Sequence, residues 1–149
     1  MIEEIKYKLN SSNSEKPSGR PQASVLIAIL NYGEYIESPE LIYTQRSGHL
    51  STHSGEVSFP GGKAEDGDAS LFDTALRESN EEIQEIFTVP LSFLLDPKNI
   101  KRESIERQGS VWEVPTWSLK NQKIWGLTAM ITVNFLNVCF DANIEILEG

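Results

Sequence analysis

The sequence has one cysteine and few basic residues, and each scarcity excludes a class of protein. The single Cys139 excludes an internal disulfide framework and a zinc site built on cysteines. The 149 residues carry 13 lysines and arginines against 22 aspartates and glutamates, which gives a formal net charge of −9. Phosphate groups repel such a chain, so we expect neither nucleic acid nor an anionic membrane as a partner.

Long hydrophobic runs are also absent. The longest nearly uncharged stretch, residues 124–140, is 17 residues long, whereas a membrane-spanning helix needs about 20 mostly apolar residues. The first nine residues mix charged and apolar side chains, which is not the pattern of a signal peptide. We therefore expect a cytoplasmic protein and a buried core helix at 124–140.

The distribution of polar and apolar residues predicts one domain at 23–149, preceded by an N-terminal segment and polar linker at 1–22. The apolar run at 23–30 predicts a buried strand that pairs with a second strand at 41–45. Further extended segments are predicted at 56–59 and 87–95, a polar surface loop at 98–110, and a strand pair at 111–119.

A helix is predicted at 69–85, where apolar residues recur at spacings of three and four and include Ile83 and Ile86. Its opposite face carries four glutamates: Glu78, Glu81, Glu82 and Glu85. Like charges at these spacings repel each other, and a divalent cation would convert the repulsion into coordination. A solvated acidic face is the alternative, and the helix taken alone leaves both open.

The segment before this helix indicates which interpretation applies. Gly61 and Gly62 follow a proline and permit close approach of the backbone to a bound group, and Arg77 lies beside the acidic face. A glycine-rich turn, an arginine and clustered carboxylates suit metal-assisted attack of water on a pyrophosphate.

Residues 61–83 resemble the Nudix box, and its Arg-Glu-x-x-Glu-Glu core is intact from Arg77 to Glu82. Residues 41–62 resemble the additional motif of the coenzyme A pyrophosphatase branch of that family. Residues 89–97 and 124–129 also match that branch.

The resemblance implies an α/β fold, the Nudix α/β/α sandwich with a mixed sheet, and hydrolysis of coenzyme A or acyl-CoA. The products would be 3′,5′-ADP and 4′-phosphopantetheine or its acyl form. Arg77, Glu78, Glu81 and Glu82 would be catalytic, and the three glutamates would bind Mg²⁺ or Mn²⁺. The residues implied in substrate binding are Arg46, His53, Gly61, Gly62 and Lys63. The sequence leaves a homodimer open.

The chain departs from the family pattern at three places. The box normally ends with a glycine, and Gln84 stands there, so the usual glycine cap of the helix is missing. The general box has a glutamate eight residues before the arginine, and Ala69 stands there with Asp68 beside it. In addition, residues 82–91 match a segment that in the family follows further strands, as if the central strands were removed near Glu81–Glu82. Helix and strand then compete for residues 83–86. We expect the helix to persist to about residue 84 on a sheet compressed by the loss of these strands. The alternatives are a catalytically impaired nucleotide-binding module and a truncated product.

Overall fold

The computed structural model describes residues 5, 7–8, 23–31, 38–46, 55–65, 67–68, 74, 77, 83–107 and 109–146. The chain divides into two compact units. The N-terminal unit comprises Gly19–Leu94, and the C-terminal unit comprises Met1–Ser18 with Leu95–Gly149. Strands and helices both occur, which confirms the predicted α/β class. No helix in these residues is long and apolar enough to cross a membrane.

The described residues of the N-terminal unit include six strands: β1 (Ala23–Val25), β2 (Ile29–Leu30), β3 (Glu40–Arg46), β4 (Val57–Ser58), β5 (Gly61–Lys63) and β6 (Ile83–Pro90). Strand β3 is central and pairs with β2, β4 and β6, while β1 pairs with β5. A mixed sheet was expected, but every pair among the described strands is antiparallel.

Alternation along β3 explains the core of this unit. Leu41 and Tyr43 point to one face of the strand and are fully buried. The Tyr43 ring stacks on Phe59, with centroids 4.7 Å apart, and on Phe87, with centroids 5.9 Å apart. Phe87 lies opposite Tyr43 in the β3–β6 register, so the aromatic contact also ties the two strands together.

The prediction that the helix extends to about residue 84 is wrong, because β6 begins at Ile83. Seven residue pairs join β6 to β3, from Glu40 opposite Pro90 to Arg46 opposite Ile83. The strand satisfies its backbone by this ladder and buries Val89 completely. A helix that continued through residue 86 would lose part of this backbone ladder and part of this burial. Ile86, predicted on the apolar helix face, is instead 63% exposed.

The predicted buried strand at 23–30 is also corrected. The run divides into β1 and β2, which pair with different strands, β5 and β3. The chain therefore leaves regular strand geometry between them. The predicted pairing of this run with the segment at 41–45 holds for β2, where Ile29 lies opposite Leu41. None of residues 23–30 is fully buried.

The C-terminal half contains helix α1 (Leu91–Leu95), a 3-10 helix (Pro97–Asn99), strands β7 (Lys101–Arg107), β8 (Ser110–Leu119) and β9 (Gln122–Ile124), and helix α2 (Gly126–Phe140). Residues 91–95 are therefore helical and not extended as predicted. The loop predicted at 98–110 is mostly strand β7, and the strand pair predicted at 111–119 lies within the single strand β8. Polar composition misled the loop prediction, because β7 keeps most of its charged side chains in solvent.

Helix α2 confirms the prediction at 124–140 apart from its first two residues. It packs on β8 and buries Val133, Leu136 and Cys139. This burial raises the pKa of the Cys139 thiol. The helix ends where Asp141 adopts a left-handed conformation, with φ of 53°.

Candidate active site

Strand β5 carries the predicted glycine-rich segment and lies tightly against β1. Val25, Ser24 and Ala23 lie opposite Gly61, Gly62 and Lys63, in that order. Gly61 has φ of +146°, and a Cβ atom there would lie 2.2 Å from the Ser24 carbonyl oxygen. Only glycine combines this backbone angle with this close approach.

The carboxylate of Asp68 accepts hydrogen bonds from three parts of the chain. The Arg77 guanidinium donates from Nε to Oδ1 and from Nη2 to Oδ2, both at 3.1 Å. The Thr74 hydroxyl and the Glu65 backbone N–H each donate to Oδ2 at 2.9 Å. Thr74 and Arg77 have helical backbone, whereas Glu65 lies in the loop after β5.

This environment favours the ionised form of Asp68. The Arg77 guanidinium is the main cause that holds the pKa of the Asp68 carboxyl far below its usual range, and the Glu65 N–H and the Thr74 hydroxyl add to the effect. The Asp68 side chain is only 8% exposed. A nearly buried carboxylate needs such donors, because desolvation alone would destabilise its charge.

Arg77 also contacts the end of β5. Its Nη2 donates to the Lys63 carbonyl oxygen at 3.0 Å. Its Nη1 lies 3.6 Å from a carboxylate oxygen of Glu65, whose side chain is 68% exposed. The same guanidinium therefore joins the helical backbone at Arg77 to Asp68 and to the glycine-rich strand. We call this arrangement of Lys63, Asp68, Thr74 and Arg77 the clasp.

The remaining predicted site residues are placed only in part. Glu78, Glu81, Glu82 and His53 lie outside the described residues. Arg46 is the last residue of β3, and its side chain lies outside the described part of the chain. Within the described ranges, no group of three side chains of the metal-binding types lies close enough to hold an ion. The metal site therefore stays a prediction.

Sequence reasoning missed the role of Thr74 and noted Asp68 only as the residue beside the departure at Ala69. A usable signal was present, because Thr74 precedes Arg77 by three residues and so shares its side of a helix. Ala69 has no carboxylate to pair with Arg77, and in the structure the preceding residue, Asp68, supplies it.

Comparison with known proteins identifies the family. The NUDIX domain matches residues 20–115 of the chain. A probable Nudix hydrolase of Schizosaccharomyces pombe is 30% identical over 88% of this chain and 61% of its own length. NudL of Yersinia pestis (strain Pestoides F), described as an uncharacterized Nudix hydrolase, is 31% identical over 74% of this chain and 75% of its own length. The chain therefore belongs to the Nudix family.

The extent of these alignments also bears on the predicted loss of strands. NudL of Yersinia enterocolitica is 52% identical, but the aligned 61 residues span 29% of its length. The Schizosaccharomyces pombe alignment runs over 179 positions, more than the 149 residues of this chain. The matched part of this chain is 88% of 149 residues, or about 131. Roughly 48 of the 179 alignment positions therefore contain no residue of this chain. That these positions form one segment near Glu81–Glu82 stays a prediction.

Proposed function

We propose that this chain hydrolyses the pyrophosphate bond of coenzyme A or acyl-CoA, with release of 3′,5′-ADP and 4′-phosphopantetheine or its acyl form. Membership of the Nudix family supports the reaction class, since the relatives are described as Nudix hydrolases. The choice of substrate rests on the resemblance of residues 41–62, 89–97 and 124–129 to the coenzyme A branch.

The clasp is the observation that carries this proposal. Groups that act together on one substrate must be held in a fixed relation, and here these groups are the glycine-rich segment and the helical residues of the box. Here Arg77 donates to the Lys63 carbonyl oxygen and to Asp68, which in turn accepts from the loop and from Thr74. Four hydrogen-bonded contacts thus join the segment and the helical backbone within the N-terminal unit.

We assign the binding of Mg²⁺ or Mn²⁺ to Glu78, Glu81 and Glu82. Arg77 has helical backbone and directly precedes Glu78 in the sequence. Carboxylate oxygens suit both cations. When bound, a divalent cation neutralises phosphate charge and lowers the pKa of coordinated water. Both effects favour attack of water on a pyrophosphate.

We assign substrate contacts to Arg46, His53, Gly61, Gly62 and Lys63. The support within the described residues comes from β5. The Lys63 side chain is exposed and is therefore available to a phosphate. Gly61 lies too close to Ser24 to carry a side chain. The lack of a side chain lets strand β5 lie directly against β1. We expect Lys63→Ala to raise KM for coenzyme A more than it lowers kcat.

A second candidate is a nucleotide-binding module that has lost turnover. Two observations favour it: β6 begins directly after Glu82, and the alignments leave roughly 48 positions of a relative unmatched. A helix must end before Ile83, directly after the last of the proposed ligands. Such a module would bind coenzyme A in the presence of Mn²⁺ and leave it intact.

Three glutamine variants test the assignment of the ligands. Purified protein is incubated with coenzyme A, with and without Mn²⁺, and 3′,5′-ADP is quantified by anion-exchange chromatography. We expect Glu81→Gln and Glu82→Gln each to lower the rate at least about tenfold, since a neutral amide is a weak ligand for a hard cation.

Glu85→Gln is the matched control. Glu85 belongs to the same predicted acidic face, but the structure places it, exposed, in β6. We expect its rate to stay within about twofold of wild type, as is usual for exposed charges. Equal losses in all three variants would refute the assignment of the ligands. Wild-type binding of coenzyme A without product would favour the second candidate.

A further inference from the structure

Strand β6 has one edge that the described part of the chain leaves open. Among the described strands only β3 pairs with β6, and it does so along one edge, over seven residue pairs. The strand is eight residues long. The unpaired N–H and C=O groups along an edge of this length can direct pairing with another strand.

The hydrogen bonds at the end of the β3–β6 ladder show which residues of β6 bond to β3. Bonded and non-bonded pairs alternate along an antiparallel ladder. The Leu91 N–H donates to the Pro39 carbonyl oxygen at 2.8 Å, and these two residues lie one step beyond the last pair of the ladder. Counted from this bonded pair in steps of two, Val89, Phe87 and Glu85 are the residues that exchange backbone hydrogen bonds with β3.

Ile86 and Thr88 therefore direct their backbone N–H and C=O groups to the open edge. Ile42 lies opposite Thr88 in the register, but its N–H donates to the Ala28 carbonyl oxygen at 3.0 Å, on the side of β3 that faces away from β6. Ile42 and Thr88 are thus a non-bonded pair, as the count requires. Within the described residues, no hydrogen bond is made to the outward groups of Ile86 and Thr88.

The open stretch is bounded at both ends. Pro90 has no N–H to donate. A bulge interrupts the ladder next to Gln45 and makes Gln84 the extra residue of β6, so Gln84 departs from the regular alternation. Ile86 and Thr88 are therefore the two residues that offer both a donor and an acceptor outward. An antiparallel partner with the same spacing of two residues would pair with all four groups.

A second copy of β6 has this spacing. With a twofold axis at Phe87, Ile86 of each copy lies opposite Thr88 of the other, and the two pairs exchange four backbone hydrogen bonds. Glu85 is the only charged residue of β6, and this register places it opposite Val89 of the other copy. No like charges then face each other, whereas an axis at Glu85 would oppose the two carboxylates.

Strand β7 has a comparable edge, but its composition protects it. Among the described strands β7 pairs only with β8, and five of its seven residues are charged. Charged side chains on an edge strand oppose pairing with another chain. Strand β6 has a single charge, and its Ile86 side chain is 63% exposed. The edge of β6 therefore lacks the protection that β7 has.

We propose that this protein forms a homodimer in which the β6 strands of two copies pair antiparallel about a twofold axis at Phe87. The pairing continues the sheet of the N-terminal unit from one copy into the other. It also packs the exposed Ile86 against Thr88 of the other copy. The proposal is independent of the reaction, because the pairing uses none of the residues assigned to metal or substrate.

Thr88→Pro tests the pairing. Proline removes the N–H that Thr88 directs outward, and the ladder with β3 does not use that N–H. Sedimentation equilibrium at concentrations up to about 200 µM detects even a weak dimer. We expect the mass of wild type to approach twice 16.7 kDa and that of Thr88→Pro to remain at 16.7 kDa. Thr88→Val is the matched control: valine keeps the N–H and the branched shape, so this variant should dimerise as wild type does.

Cysteine cross-linking tests the register and covers the case in which Thr88→Pro fails to fold. The Cα atoms of a bonded antiparallel pair lie about 5.5 Å apart, which a disulfide spans, whereas diagonal neighbours lie about 7–8 Å apart. On mild oxidation, a mixture of Ile86→Cys and Thr88→Cys should form a disulfide-linked dimer. Each variant alone should form at least about tenfold less. Wild type should form none, since its Cys139 is buried.

Four results would overturn the proposal. The first is a wild-type mass that stays at 16.7 kDa at every concentration. The second is a dimer that persists in folded Thr88→Pro, because another surface would then hold it. The third is a wild-type assembly larger than a dimer, since a closed twofold pair cannot grow. The fourth is cross-linking of Ile86→Cys alone that equals cross-linking of the mixture, which would place the axis at Ile86.

Discussion

Gly61→Ala is the substitution whose effect the structure defines most directly. The added Cβ would lie 2.2 Å from the Ser24 carbonyl oxygen and 2.7 Å from the Val25 Cα, whereas real Cβ contacts are essentially never below 3.0 Å. Strands β1 and β5 must therefore move apart by at least about 0.8 Å, which is the difference between 3.0 and 2.2 Å. This displacement disturbs the three residue pairs that join them.

Two costs add to the expected loss of stability. A non-glycine residue at φ of +146° carries backbone strain of roughly 1–3 kcal/mol. Forcing an extra carbon into a packed site costs roughly another 1–3 kcal/mol. We therefore expect Gly61→Ala to lower the free energy of unfolding by about 2–6 kcal/mol. That is a large share of the roughly 5–15 kcal/mol of a typical domain.

Urea unfolding followed by circular dichroism measures this loss. With a slope of roughly 2 kcal/mol per molar urea, the midpoint should fall by at least about 1 M. Gly67→Ala is the matched control, because Gly67 has no heavy atom within 4 Å of a built Cβ and lacks a positive φ. We expect its free energy of unfolding to stay within about 0.5 kcal/mol of wild type. Equal midpoints for the two variants would refute the packing of β5 on β1.

Three further predictions follow from the same structure. Leu136 is fully buried in α2, so Leu136→Ala should lower the free energy of unfolding by about 2–5 kcal/mol. Leu127 in the same helix is 71% exposed, so Leu127→Ala should lower it by less than about 0.5 kcal/mol. Urea unfolding of the two variants measures both changes. Thr74→Val removes one donor to Asp68 and should lower the free energy of unfolding by about 1 kcal/mol. Thr74→Ser keeps the hydroxyl and should retain most of that stability. A valine variant as stable as wild type would contradict a stabilising role for this hydrogen bond. The pKa of Asp68 is lowered in the folded state, so its stabilisation is present above the unfolded pKa of about 4 and is lost as pH falls below it. In thermal melts between pH 2.5 and 7, the melting temperature of Asp68→Asn should therefore fall less steeply towards low pH than that of wild type.

The elements that sequence predicted well are those in which local pattern and tertiary contacts agree. Residues 124–140 are apolar over helical length, and α2 occupies 126–140 with Cys139 buried. The segment at 41–45 is predicted as a strand, and β3 contains it. In both cases the burial that the pattern requires is available within the chain.

The main error was the helix predicted over residues 83–86, and it arose because these residues fit both a helix pattern and a strand pattern. Ile83 and Ile86 fit the apolar stripe of a helix, and they also fit a strand of β-branched residues. Pairing with β3 decides the outcome, and that partner lies about 40 residues away in sequence, beyond any local window. For β7, the charged residues concealed a strand whose register is set by β8.

The candidate site was predictable in its composition but not in its contacts. The motif identified Arg77 and the glycine pair, and the structure places Gly61, Gly62 and Lys63 together in β5. Spacing alone could not show that Arg77 donates to the Lys63 carbonyl oxygen, because that contact depends on how the loop after β5 folds back. Nor could it show that Asp68 accepts the guanidinium.

The central claim is metal-dependent hydrolysis of coenzyme A, and one measurement tests it most directly. Purified protein is incubated with coenzyme A, first with a chelator and then with excess Mn²⁺, and 3′,5′-ADP is measured over time. Our account predicts that 3′,5′-ADP and 4′-phosphopantetheine form in equal amounts and only with Mn²⁺ present. A cooperatively folded protein that forms no 3′,5′-ADP with Mn²⁺, or forms it equally well with the chelator, would contradict the account.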